Sequence, residues 1–188
     1  MTTSLQYADD LDYLSPDGRP PAAPYLHATL VNLAPQVAAL TPDRPLWAPA
    51  ELARLTGLLA HSVPESLRRL VRHDPERRWY GRLALTEDVE VWLIGWAPGQ
   101  GTPPHGHGGA SGAFTVLAGQ LAETHQEGPG VLRRAVLDPL TTSAFGPQRV
   151  HQVTNRGVVE ATSVHAYSPP LLPAGELASI DAGRGWDD

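Results

Sequence analysis

Eight short extended segments follow one another from residue 79 onward, and they limit the possible fold more than any other feature. They are residues 79–86, 89–97, 112–118, 120–126, 131–137, 142–145, 150–154 and 161–167. Turn residues separate them, with no helical pattern between them, and this succession is typical of a β-sandwich or barrel of antiparallel strands. The 19 prolines and 18 glycines suit short strands joined by turns. The sequence therefore predicts a mainly β fold.

Three helices are predicted before these strands, between about residues 25 and 73. The first begins at Tyr25 and should end or kink at Pro35, because proline removes a helical hydrogen bond. The second runs from Pro49 to about residue 60, with leucines spaced to form one apolar face. The third follows Ser62, whose hydroxyl can cap the first turn.

The length of 188 residues predicts one well-buried domain. Residues 1–24 are rich in Asp, Pro and Gly and are expected to form a loosely ordered arm. Residues 25–188 form the domain: helices at about 25–73, a β-barrel at about 78–170 and a C-terminal tail at 171–188.

Charge and composition exclude several classes of function. The net charge is −6 and no long Lys/Arg run is present, so we expect neither nucleic acid nor a membrane as partner. The chain has no cysteine, and a metal ion must therefore be held by His, Asp or Glu. We expect a cytoplasmic protein, since the sequence has neither signal-peptide features nor an apolar run of membrane-spanning length, and a monomer or small homo-oligomer.

His105 and His107 lie in a glycine- and proline-rich run that extends from Gly99 to Gly119. On an extended segment, residues two apart point to the same side, so the two imidazoles can grip one metal ion. A firm site needs at least one further protein ligand. The alternative is that the two histidines lie on a glycine- and proline-rich loop and bind no metal ion. Four other histidines are interpreted as structural or solvated: His27, His61, His73 and His125.

This run resembles the first motif of the cupin superfamily. Gly99, His105, His107 and Gly119 have the expected spacing, while Gly112 occupies the position at which most cupins carry a metal-binding Glu. His151 and Asn155 match the His-x-x-x-Asn half of the second cupin motif. The resemblance implies a cupin β-barrel, or jelly roll, in which His151 is the third metal ligand.

Two further motifs resemble the cysteine dioxygenase family of thiol dioxygenases within the cupins. Ser163-Val-His165-Ala-Tyr167-Ser-Pro-Pro resembles the family's C-terminal signature, in which Ser, His and Tyr form a hydrogen-bonded relay. Tyr80-Gly-Arg82 resembles the family's Tyr-x-Arg segment, whose arginine pairs with the substrate carboxylate. The family's mammalian members carry a cysteine at the position of Gly112, linked to the relay tyrosine. The chain is therefore similar to the bacterial, Arg-type branch, with an unmodified Tyr167.

The resemblance implies an enzyme that uses Fe(II), held by His105, His107 and His151, to oxidise L-cysteine to cysteine sulfinate with both atoms of O2. It implies a catalytic relay of Tyr167, His165 and Ser163, and substrate binding by Arg82 and Tyr80. One alternative is a 3-mercaptopropionate dioxygenase, although that group tends to carry Gln in place of Arg82. A non-catalytic cupin that binds a metal or a small carboxylate is another, and a cupin isomerase is a third.

Overall fold

A computed structural model of the protein describes residues 6–8, 25–62 and 64–171. In chain order the described elements are β1 (Gln6–Ala8), β2 (Tyr25–His27), a 3₁₀ helix (Ala28–Leu33), α1 (Ala34–Leu40), α2 (Pro49–Ser62), α3 (Pro64–Leu70), β3 (Trp79–Leu85), β4 (Glu90–Trp96), β5 (Ser111–Ala118), β6 (Leu121–Gly128), β7 (Val131–Leu137), β8 (Thr142–Phe145), β9 (His151–Thr154) and β10 (Ala161–Ser168).

The described strands form two sheets that enclose an apolar core. One sheet has the order β1-β2-β3-β4-β10-β5-β8 and the other the order β7-β6-β9. Neighbouring strands are antiparallel except β1 and β2, which are parallel. Large side chains from both sheets meet between them, among them Trp96 and Phe114 from the first and Leu121 and Val153 from the second. This closed arrangement of short strands is a cupin barrel, and the predicted mainly β class is confirmed.

The helices cover the outer face of the larger sheet. Leu52, Leu55 and Leu59 of α2 are buried in one apolar cluster with residues of β4, β5 and β10. Strand β10 therefore has one face toward the helices and one toward the barrel interior, and all eight of its residues are buried. Because side chains alternate along a strand, Ser163, His165 and Tyr167 share the interior face.

Gly119 makes the tight turn between β5 and β6. Its φ is +69°, and a Cβ there would lie 2.3 Å from the carbonyl oxygen of Glu160. Only glycine fits such a position without a rearrangement of the backbone.

All eight extended segments predicted from the sequence are strands, β3 to β10, with ends within two residues of the expected ones. The helical prediction at residues 25–33 is wrong. Residues 25 and 26 pair with Leu85 and Ala84 of β3, and a 3₁₀ helix follows, so edge pairing outweighs the helical spacing of the leucines. Pro35 lies in the first turn of α1, where its missing N–H costs nothing, and it does not end the helix.

Ser62 is the last residue of α2 and does not cap α3, which is a second correction. Most of residues 1–24 and of 171–188 lie outside the described residues, and the domain boundaries stay predictions. The described helices include none with the length and apolar character needed to cross a membrane.

Candidate metal centre

The loop between β4 and β5 carries the first two histidines and is pinned along β9. His105 and His151 exchange both of their backbone hydrogen bonds, at 2.9 and 3.0 Å. Thr102 N–H donates to the carbonyl of Val153 at 2.9 Å. Asn155 fixes the end of the loop that follows β4, because its buried side-chain amide donates to the carbonyl oxygens of Trp96 and Val159. The loop is therefore held over the barrel mouth by the strand that supplies the third histidine.

The imidazoles of His105, His107 and His151 converge on one point. Each offers a nitrogen, and the three nitrogens lie within 4.8 Å of one another. His107 and His151 are only 4% and 2% exposed, while His105 is half-buried. The fold brings these three residues together, as the two cupin motifs predict. His105 and His107 lie in a loop, however, and not in a strand.

Hydrogen bonds orient two of the three rings. His105 Nδ1 lies 3.0 Å from the carbonyl oxygen of Pro103, and His151 Nδ1 lies 2.7 Å from Oε1 of Glu123. An imidazole that donates through Nδ1 to such acceptors keeps the lone pair of Nε2 for a metal ion. The ring of His107 is held instead by stacking between Phe145 and Tyr167, with centroids 4.6 and 5.3 Å away.

Glu123 is a part of the site that the sequence analysis missed. It lies on β6 and is buried, and Oε2 accepts a hydrogen bond of 2.6 Å from the hydroxyl of Ser143. Burial alone would raise the pKa of the Glu123 carboxyl, but the hydrogen bonds from His151 and Ser143 outweigh it and leave that pKa below its ordinary value. Glu123 is thus an ionised acceptor that holds His151 in the tautomer with a proton on Nδ1.

The donor set fits a transition-metal ion. Neither buried nitrogen of His107 makes a well-formed hydrogen bond within the described part of the protein, although one of them approaches the backbone of Arg149, and a bound ion would satisfy the other. Burial and the neighbouring His151 lower the pKa of His105 to about 4 and that of His107 to about 2, so both are neutral at pH 7. Three imidazole nitrogens suit iron, zinc, copper or nickel and leave coordination positions open.

Beside the three histidines, a chain of buried hydrogen bonds runs along β10. Ser163 Oγ lies 2.8 Å from His165 Nε2, and His165 Nδ1 lies 3.1 Å from the hydroxyl oxygen of Tyr167. Phe114 stacks on the His165 ring at 4.8 Å. Burial holds the pKa of His165 well below its ordinary value and raises that of Tyr167. Hydrogen bonds therefore join the three residues of the predicted relay, and their catalytic role stays a prediction.

Trp96 sets the direction of this chain and was not found from the sequence. Its indole N–H, which can only donate, donates to Ser163 Oγ at 2.8 Å. The buried hydroxyl proton of Ser163 then has His165 Nε2 as its acceptor, which places the ring proton of His165 on Nδ1. That proton is donated to the Tyr167 oxygen. The hydroxyl hydrogen of Tyr167 is consequently left to point away from His165.

Arg82 and Tyr80 of β3 both contact the ring of Trp92. The Arg82 guanidinium lies over the ring of Trp92 at 4.4 Å and forms an ion pair of 3.3 Å with Glu90. Glu90 is almost fully buried, and its pKa is raised because burial disfavours the carboxylate more than Arg82 and the Leu171 N–H favour it. Tyr80 is 45% exposed and packs edge-on against Trp92 at 5.8 Å. The sequence around Glu90 has no feature that predicts its pairing with Arg82.

Gly112 provides the space in which Tyr167 and Phe145 meet. It pairs with both residues across the sheet, and a Cβ at this position would lie 2.5 Å from the Phe145 ring and 2.9 Å from Tyr167. The absence of a side chain here lets the Tyr167 ring lie beside His107.

Two of the other histidines make structural contacts. His61 Nδ1 lies 2.7 Å from the carbonyl oxygen of Gly57 one turn earlier in α2. His73 bonds to the Ala161 carbonyl and forms a pair with Glu160, so it ties the helical segment to β10 and does not cap a helix.

The fold is that of a cupin, and the three-histidine group could hold a metal ion. A sequence model of the family described as cysteine dioxygenase type I matches residues 48–174, which is more than half of the chain. The chain belongs to the cysteine dioxygenase type I family. The family is one of cupin metalloenzymes of the dioxygenase type. No curated protein matches the chain.

Two solved structures with TM-scores of at least 0.50 agree on the fold. An uncharacterised conserved protein with a double-stranded β-helix domain from Klebsiella pneumoniae subsp. pneumoniae MGH 78578 is 20% identical, with a TM-score of 0.51 over 65% of this chain and 94% of that one. The protein TT1209 from Thermus thermophilus is 24% identical, with a TM-score of 0.50 over 55% of this chain and 93% of that one. A cupin superfamily protein from Desulfitobacterium hafniense DCB-2 is 15% identical, with a TM-score of 0.46 over 53% and 84%.

Proposed function

We propose that the protein is an iron(II)-dependent dioxygenase that oxidises the thiol of L-cysteine to cysteine sulfinate. The observation that carries this proposal is the position of the Tyr167 ring, which stacks on His107 at the edge of the three-histidine group while the relay orients its hydroxyl. A cupin that only stores a metal or a carboxylate has no need of an ordered proton donor at that point. Family membership supports the same class of reaction.

His105, His107 and His151 would hold the iron. The bound iron(II) supplies the electron chemistry that lets dioxygen react with a thiolate, and its charge favours the thiolate over the thiol. The net reaction adds both oxygen atoms of O2 to sulfur, and the thiol proton ends on the sulfinic acid group. It therefore needs no outside reductant.

The residues around the iron site have separate roles in this proposal. Tyr167 donates its hydroxyl hydrogen to the reacting groups, and His165 fixes that hydroxyl from the opposite side. Ser163 and Trp96 hold His165 in the required tautomer. Arg82 is proposed to bind the substrate carboxylate, and Tyr80 to close the carboxylate side of the pocket. Phe114, stacked on His165, excludes water from the relay.

The test is oxygen uptake by protein loaded with iron(II) without oxygen and then given L-cysteine, 3-mercaptopropionate or cysteamine, with sulfinate measured alongside. We expect uptake with L-cysteine at about one O2 per sulfinate, as the balanced reaction requires. A preference for 3-mercaptopropionate would retain the fold, the metal and the reaction type but replace the substrate. The absence of oxygen uptake with all three thiols would refute the proposal.

A further inference from the structure

Glu90 is a buried carboxyl on β4 to which the proposed reaction gives no role. It pairs with Tyr167 of β10 on one side and with Leu85 of β3 on the other. Residues directly opposite each other in an antiparallel pair project to the same face of the sheet, so Glu90 shares the barrel interior with Tyr167. Its side chain is only 1% exposed. Carboxyls are seldom buried to this extent without a partner.

The two oxygens of this carboxyl are held differently. Oε1 accepts a hydrogen bond of 2.7 Å from the backbone N–H of Leu171. Oε2 lies 3.3 Å from Nη2 of Arg82 and accepts no well-formed hydrogen bond within the described residues. The indole of Trp92 also approaches the carboxyl. One oxygen is therefore fixed by the backbone, and the other has a free lone pair beside Arg82.

Arg82 is the residue to which the proposed function assigns the substrate carboxylate. Its guanidinium lies over the ring of Trp92 and is 11% exposed. The substrate would thus bring a second carboxylate to a cation that already has one. Two carboxylates that share one buried site repel each other, and one member of such a pair takes up a proton much more readily than a single carboxylate does.

Of the groups at this position, Glu90 is the one best suited to take that proton. An α-carboxyl has an ordinary pKa of about 3.3 to 3.7, against about 4.3 for Glu. Burial already raises the pKa of Glu90 above its ordinary value. The charged or titratable groups that face it from the neighbouring strands are Arg82 on β3 and Tyr167 on β10. Arg82 is already protonated, and so is the Tyr167 hydroxyl, because burial raises its pKa.

We infer that Glu90 sets the preference of the site for carboxylated thiols by taking a proton from solvent on Oε2 when the substrate carboxylate binds to Arg82. This inference rests on the proposed function, since it describes how the same site admits a second carboxylate. Arg82 then has one carboxylate as its partner both before and after the substrate binds. A thiol without a carboxylate causes no such exchange.

The test counts the protons that accompany binding of L-cysteine and of cysteamine, which has the thiol and the amine but no carboxylate. Calorimetry on the iron(II)-loaded protein without oxygen, in two buffers of different ionisation enthalpy at pH 7, gives this count without turnover. Protons that the thiol and the amine lose at the metal are common to both ligands and cancel in the difference. Glu90→Gln removes the titrating group, and Glu87→Gln, exposed in the turn before β4, is the matched control.

We expect L-cysteine to bind with about one proton more taken up than cysteamine, in the unchanged protein and in Glu87→Gln. The dissociation constant of L-cysteine relative to that of cysteamine should then rise by up to about tenfold per pH unit above the pKa of Glu90 in the free protein. Both effects should vanish in Glu90→Gln. Glu90→Asp, which keeps a titrating carboxyl, should retain the proton difference.

A second measurement needs no variant that folds. Difference infrared spectra of the unchanged protein should show the band of a protonated carboxyl on binding of L-cysteine and not on binding of cysteamine. Equal proton counts for the two ligands would overturn the inference, and oxidation of L-cysteine by the same protein would leave the proposed function standing. A proton difference that persists in Glu90→Gln would also overturn it, because the proton would then reside elsewhere. If the unchanged protein bound neither ligand, the proposed function would fail and the inference with it.

Discussion

Replacing Glu123 by glutamine tests the support of the metal centre with almost no change of shape. The carboxylate accepts two short bonds, from His151 Nδ1 at 2.7 Å and from the Ser143 hydroxyl at 2.6 Å. An amide is neutral, and its nitrogen cannot accept the hydrogen bond from Ser143. The substitution therefore turns a charge-assisted bond to His151 into a neutral one and leaves the Ser143 hydroxyl to find a new orientation.

The expected loss follows from these bonds. A bond to an ionised group contributes about 1 kcal/mol more than a neutral one, which corresponds to about a fivefold change in an equilibrium constant. Loss of the negative charge behind His151 also makes its Nε2 a weaker ligand, and removal of such a partner usually lowers metal affinity about 10- to 100-fold. We therefore expect Glu123→Gln to weaken metal binding by about tenfold.

Competition with a chromophoric chelator measures this affinity directly. Glu127→Gln is the matched control, because Glu127 lies on the same strand but is exposed and pairs only with Arg133 in the described residues. Metal affinity in Glu123→Gln within twofold of the control would refute the role of Glu123 as the group that orients His151.

Three further predictions address the relay, the packing and the charges. Tyr167→Phe removes the proton donor but keeps the ring on His107, so oxygen uptake with L-cysteine should fall about 100-fold at unchanged metal affinity; full activity would exclude Tyr167 as donor. Gly112→Ala should destabilise by roughly 1 to 3 kcal/mol in denaturant titration, because its Cβ collides with Phe145, whereas Gly57→Ala in open helix should not; equal stabilities would contradict this. Because folding raises the pKa of Glu90, its native carboxyl holds a proton to higher pH than in the unfolded chain, so its contribution to the free energy of unfolding falls as pH rises above about 4. Glu90→Gln should remove that slope from denaturant titrations across pH, and an identical slope would show that Glu90 is not its source.

The strands could be predicted because their pattern is local. Alternation and turn residues locate each of β3 to β10 without knowledge of its neighbours. At residues 25–33 the leucine spacing was compatible with a helix, and only the partner strand β3, which begins at Trp79, decided for a strand at Tyr25–His27. No local signal carries that information.

The difference between local and long-range information also explains which parts of the site were predicted and which were missed. His105, His107 and His151 stand in spaced motifs that can be read along the chain. Glu123 and Trp96 acquire their roles only through partners 28 and 67 residues away in sequence. Each lies on a strand that was predicted correctly, where a buried Glu or Trp indicates nothing more than an inward-facing position.

The balance of charge at the site argues for a substrate with two negative groups. In the proposed metal-loaded protein the two positive charges of the ion exceed the single negative charge of Glu123, because the three imidazoles are neutral. The guanidinium groups of Arg78 and Arg82 lie over Trp96 and Trp92, and the single carboxylate of Glu90 balances only one of their two charges. A substrate with a thiolate and a carboxylate neutralises both the charge of the metal ion and that of the arginine. Cysteamine has no carboxylate and neutralises only the charge of the metal ion. Cysteamine should therefore bind more weakly than L-cysteine, and Arg82→Gln should reduce that difference. Equal binding of the two thiols to the unchanged protein would show that its positive charge takes no part in the choice of substrate.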